Sequence, residues 1–259
     1  MNTVRIFHRR LSRRLRLACD TKLLSEDIRP RNGIAIPHTS GTRMGTDWRD
    51  NSLDLEPVVE IFQGARTNYE QLGAPLVADP QKDAQHIANA GYQPEGMVSN
   101  AWAKGTGWES SPDPTTARLI FSYAMVYTDD ATRQGVLNAN KLRHTYGAMD
   151  NIILDVPMGK HFMGDEFALK KAEPIRVKVQ GTSKIAGIDI IKDSQVIYST
   201  EPHQKDADFE FVNKGDVSGR HYYYVRVRQA DRMLAWSSPL FVIIESRRPC
   251  SHSANAESH

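Results

Sequence analysis

Between residues 175 and 244 the chain runs as a series of short apolar segments, most of them alternating with polar residues: "IRVKVQG" (175–181), "IAGIDIIKD" (185–193), "QVIYSTE" (195–201), "ADFEFVN" (207–213), "HYYYVRVRQ" (221–229) and "PLFVII" (239–244). A period of two places every second side chain on one face of a strand. Gly181, Asp193-Ser194, Lys214-Gly215-Asp216 and Asp231 separate the runs as turns. Short strands at this spacing predict an antiparallel sandwich. In the longest run Tyr222, Tyr224, Arg226 and Arg228 share one face, and Tyr223, Val225 and Val227 share the other. That division predicts a core side and a side facing water.

The rhythm before about Met163 is different. Leu23, Leu24 and Ile28 suggest a short helix stopped by Pro30 and Gly33. "GIAIPHTS" (33–40), "PVVEIFQG" (57–64), "SYAMVYTD" (122–129) and "NIILDV" (151–156) read as strands. Helices are expected at 80–91, 94–105 and 131–142, the last capped by Asp130. Strands separated by helices predict a mainly parallel sheet or partial barrel. The expected fold is therefore α/β over 22–163, followed by a smaller all-β antiparallel sandwich over 164–245. A basic segment (1–21) precedes them and a patternless tail (246–259) follows. Within the first segment Val4, Phe7, Leu11, Leu15 and Ala18 fall at helical spacing among six arginines. That suits a basic amphipathic helix, whether a transit peptide, a membrane-surface helix or an ordinary one.

Composition removes several classes of function. A net charge of +2 and scattered aromatics do not describe a nucleic-acid stripe. No apolar run reaches the roughly 18 residues of a membrane span, and no signal-peptide core is visible. The cytoplasm is the default compartment on that pattern. Cys19 and Cys250 form neither a metal pair nor a disulfide framework.

Chemistry in parallel α/β architectures sits on loops leaving the C-terminal ends of strands. His38 follows Ile36 in such a position, ahead of a polar loop, "TSGTRMGTDWRDN" (39–51). Glu60 lies inside an apolar strand, where a carboxylate is costly unless paired or bound to metal. Arg66 follows just beyond that strand. The plainer readings are a loop histidine without a ligand and a strand glutamate facing polar neighbours. His144 and Asp150 bracket the start of a strand, a position that is usually structural. No Walker loop, GxGxxG, GxSxG or His-x-His motif occurs.

"AIPHTSGTRMGTDWRDN", "EPVVEIFQGARTNYEQLGAP", "GYQPEGMVSNAWAKG", "RHTYGAMDNIILDV" and "HFMGDEF" together resemble a bacterial domain family of unknown function. That family is similar to the polymerase-and-histidinol-phosphatase (PHP) superfamily of metal-dependent hydrolases, and the resemblance covers about residues 22–245. It implies a distorted α/β barrel, of which this chain is the C-terminal portion, and two or three divalent metals, Mn, Zn or Fe. It implies small phosphoester substrates. By that resemblance His38 is a metal ligand, Glu60 a ligand or catalytic base and Arg66 an anion contact. The family's upstream His-x-His pair has no counterpart here.

One stretch departs from the family pattern. Residues 106–121, "TGWESSPDPTTARLIF", stand where a strand and an Asp-His pair are due. Read in another register, from the last base of the Gly105 codon through the first two bases of the Pro112 codon, the stretch can encode Tyr-Arg-Leu-Gly-Ile-Gln-Ser, which restores the pattern. A frame-shifted segment should lack regular structure, since Pro112 and Pro114 cannot donate in a ladder. With its ligand set incomplete, the chain is expected to be an inactive portion of a phosphoesterase, with no metal of its own. The alternative is a non-catalytic remnant or binding module that uses the β-sandwich.

Overall fold

The computed structural model describes residues 4–7, 21–37, 52–63, 70, 107–111, 123–215 and 217–245. In chain order the elements are β1 (Val4–Phe7), α1 (Thr21–Ile28), β2 (Ile34–Pro37), β3 (Val58–Gln63), β4 (Gly107–Ser111), β5 (Tyr123–Val126), α2 (Arg133–Leu142) and β6 (Thr145–Ala148). They continue as β7 (Ile153–Asp155), β8 (Glu166–Leu169), β9 (Ile175–Gln180), β10 (Ile185–Lys192), β11 (Gln195–Thr200), β12 (Asp206–Phe211), β13 (Gly219–Gln229), β14 (Leu234–Ser237) and β15 (Leu240–Ile244).

The centre of the molecule is two sheets packed face to face. The smaller has the order β12-β9-β7 and is antiparallel throughout. The larger has the order β11-β10-β13-β14-β6-β5, with β15 on β13 and β8 on β15. β9 shows why they pack: Ile175, Val177 and Val179 are buried while Arg176, Lys178 and Gln180 are exposed. Ile188, Ile190, Val225, Val227 and Val242 meet them from the larger sheet. Each such aliphatic side chain, fully buried, contributes about 1.5–3 kcal/mol. The β10–β11 hairpin turns at Asp193 and Ser194, whose φ angles are 47° and 68°. Two left-handed residues make the turn that matches strand twist. Asp193 Oδ1 also accepts the Tyr222 amide at 3.1 Å, tying the turn to β13.

The α/β expectation is overturned. Among the described residues only β3–β4 and β8–β15 pair in parallel, and no strands close into a barrel. β5 and β6 flank α2, the arrangement of a parallel crossover, yet they pair antiparallel, Tyr123 opposite Ala148 and Val126 opposite Thr145. A strand–helix–strand pattern fixes order along the chain and leaves direction open; here the helix only lengthens a hairpin loop. β5 and β6 also lie in one sheet with β13 and β14, and β7 joins β9. The two packed sheets therefore draw their strands from Tyr123 to Ile244, while β1 and β2 form a separate antiparallel pair.

Other local expectations divide similarly. α1, β2, β3 and α2 fall where the pattern placed them. Val4–Phe7 is a strand on β2, Val4 opposite Pro37, rather than the start of a helix; pairing with an open edge overrides a weak helical spacing. Thr132, not Asp130, caps α2: its Oγ1 accepts the Gly135 amide at 3.2 Å, and Asp130 in turn accepts the Thr132 amide. Gly107–Ser111 is a strand on β3, which corrects the expectation of no regular structure for those residues; 106 and 112–121, with Pro112 and Pro114, lie outside the described residues. The helices expected at 80–91 and 94–105, and the tail, lie outside the described residues.

Candidate functional site

β3 is buried on both faces. Val59, Ile61 and Phe62 join Tyr222, Tyr224, Leu234, Trp236 and Phe241 of the larger sheet. The Phe62 and Trp236 rings stack with centroids 5.9 Å apart. Val58 faces the other way, onto Ile34, Ile36 and Leu137. A register shift against β4 between Glu60 and Phe62 lets Ile61 and Phe62 enter the same cluster. Glu60 sits in this strand at 2% exposure, its Cα opposite that of Glu109. His38 and Arg66 lie outside the described residues, so of the three expected site residues only Glu60 has a placed side chain.

β3 covers the face of β13 that was expected to meet water. The division of side chains between faces is as expected, but Tyr222, Tyr224 and Arg226 are buried. A charged group can be buried there because Glu70 comes with it. Glu70 is 1% exposed, and donors reach both of its oxygens. Tyr224 Oη donates to Oε1 at 2.6 Å and Arg226 Nη1 to the same oxygen at 3.0 Å. Trp236 Nε1 donates to Oε2 at 2.7 Å. Behind the guanidinium, Asp189 Oδ2 accepts from Arg226 Nε at 3.2 Å and Nη2 at 2.9 Å. Ser199 Oγ donates to the other Asp189 oxygen. Arg228 Nε stands 3.6 Å from Asp189 at the half-buried end of the row.

Electrostatics follow from that arrangement. Burial, then the neighbouring Glu70 charge, pushes the Tyr224 phenol well above its ordinary value, so it stays a donor. Burial works against the Arg226 charge, but Glu70, Tyr224 and Asp189 more than offset it and leave its pKa raised. Two buried carboxylates flank one buried guanidinium, with Arg228 as the outer cation. A buried pair of this kind specifies geometry more than it adds stability, and removing one member is costly.

The remaining candidate residues act as pins. His144 Nε2 lies 2.9 Å from Asp165 Oδ1, whose other oxygen accepts the Phe162 amide at 2.8 Å. Asp150 accepts from the Asn151 amide at 2.8 Å and from Thr182 Oγ1. Both tie one loop to another beside the ends of strands. Among the described residues no three His, Cys, Asp or Glu side chains come together as metal ligands. A hydrolytic metal takes three from the protein, so the described residues do not fit one.

The residues that sequence reasoning missed are Glu70, Asp189, Tyr224, Arg226 and Trp236. Asp189 had the same signal as Glu60, an acid inside an apolar run, "IAGIDIIKD". Glu70 had none, since "TNYEQLG" has no period.

No family model matches the chain. It is similar to uncharacterized proteins of Chlamydia pneumoniae (30% identical over 235 residues), Chlamydia trachomatis serovar D (24% over 243) and Chlamydia muridarum (22% over 243). Each match takes in 81% of this chain, and the chain spans 38% of the length of these curated relatives. Among solved structures it is similar to the fibronectin(III)-like modules of Clostridium thermocellum CbhA, at 17% identity and a TM-score of 0.24, over 38% of this chain and 99% of that one. A lytic polysaccharide monooxygenase of Jonesia denitrificans gives 12% and 0.27, over 46% and 76%. Scores of this size carry no weight for fold or function, and the architecture rests on the strand pairings above. No helix among the described residues is long and apolar enough to cross a membrane.

Proposed function

We propose that this chain is part of a PHP-like metal-dependent hydrolase, in which a β-sandwich supports the strand that carries a site carboxylate, Glu60. The substrate class is a small phosphoester, and the chain by itself does not turn it over. The observation that carries this reading is the burial of Glu60 at 2% exposure between apolar neighbours. An acid inside an apolar strand departs from local patterning, and proteins make such departures at functional sites. The divalent metal belongs to the intact protein in this reading, because one carboxylate does not hold it. A free binding module fits less well, since β3 and Glu70 cover the aromatic and arginine face of the sandwich.

The test uses the full 259-residue chain with bis(4-nitrophenyl) phosphate and added Mn²⁺ or Zn²⁺. Turnover should not exceed the metal-only blank. Turnover that Glu60→Gln abolishes would keep the hydrolase class and overturn the inactivity.

A further inference from the structure

We propose that β13 and β14 carry a preformed carboxylate-binding site, that Glu70 is its resident ligand, and that the site takes a small free carboxylate when the Glu70 side chain is removed. The donors are placed by the sheet, not by Glu70. Asp189, Arg226 and Trp236 form a row across three strands: Arg226 pairs with Asp189 of β10 on one side and with Trp236 of β14 on the other. Tyr224 is two residues from Arg226 on the same face of β13. Such neighbours stand about 5–8 Å apart by strand geometry alone. Asp189 holds the guanidinium through Nε and Nη2 and leaves Nη1 directed at the ligand. The pocket is thus organised before the carboxylate arrives, which is what makes a site out of a set of contacts.

The donor pattern selects the ligand. One oxygen receives a phenol and a cationic N–H, and the other an indole N–H. A planar anion with two oxygens satisfies all three. Chloride offers one centre, and an amide turns its NH₂ toward donors. Glu70→Ala removes a CH₂–COO⁻ group, which is the size of acetate. It leaves three buried donors, one of them charged, without their acceptor, and that vacancy is costly. A truncation cavity takes up a small molecule that matches its lining.

The experiment compares thermal unfolding of the wild type, Glu70→Ala and Glu70→Gln in sodium acetate or formate against sodium chloride at equal ionic strength. Glu70→Ala should gain about 3 °C in Tm once acetate is tenfold above its Kd. The wild type should not respond, because its ligand is in place. Glu70→Gln should not respond, because the amide fills the space. In ¹⁵N-labelled Glu70→Ala the Trp236 indole resonance should return toward its wild-type position as acetate is added. If Glu70→Ala has no cooperative transition in chloride, acetate must restore one. Absence of any acetate effect on Glu70→Ala overturns the proposal, as does an equal effect on all three proteins.

Discussion

The larger sheet presents two buried faces built on different principles. Toward β9 it offers Ile188, Ile190, Val225, Val227 and Val242, an apolar surface whose attraction is non-directional. Toward β3 it offers aromatic rings and one guanidinium, and it is completed by a single carboxylate from residue 70. The first face accepts any surface of suitable shape. The second accepts a segment that brings an acid to one point, so it specifies which segment docks. A mixed face of this kind trades stability for selectivity.

The sharpest way to break this comparison is Arg226→Leu. It leaves Glu70 and Asp189 buried without their shared cation and should cost about 3–5 kcal/mol in chemical denaturation. A loss near 1 kcal/mol would mean that the second face is as tolerant as the first. A smaller effect comes from alkali and tests the rim of the apolar face. Tyr146 Oη donates to the Ile152 carbonyl at 3.0 Å, and burial pushes its phenol up to about 12. Burial, then Tyr146 and Asp155, raise Tyr127 further still. A free phenol ionises near pH 10. Stability from these groups is therefore complete below about pH 10 and falls as pH climbs toward 12. Tyr146→Phe should flatten that fall, which urea titrations at successive pH values would show. Smallest is Ile190→Val on the apolar face, expected at about 1 kcal/mol. A loss above about 3 kcal/mol there would show that the face is less forgiving than its chemistry suggests.

Legibility followed the same division. β9 to β13 could be read because their alternation is local and each strand is long enough to show it. β6 ("TYGA"), β8 ("EFAL") and β14 ("LAWS") are four residues each, and partners far along the chain complete them. The direction of β5 against β6 was hidden by the helix between them. Glu60 stood out as a charge in an apolar run, and Asp189 met the same criterion without being singled out. Glu70 is buried by donors 154, 156 and 166 residues away, which no local pattern records.

One pairing bears on how the molecule is made. Ala148 of β6 lies opposite Ala235 of β14, 87 residues later. At about 5–20 residues per second a ribosome needs roughly 4–17 s to cover that distance. For most of that interval β5 and β6 are at most a hairpin whose β6 edge is unpaired, while β13, the longest of the described strands, is still unfinished. Non-local pairing of this kind is slow, and an open edge is a template for a neighbouring chain. β6 gains its second neighbour only after synthesis passes Ser237. A chain stopped short of that point keeps a bare edge, and its fate is aggregation or capture by a chaperone.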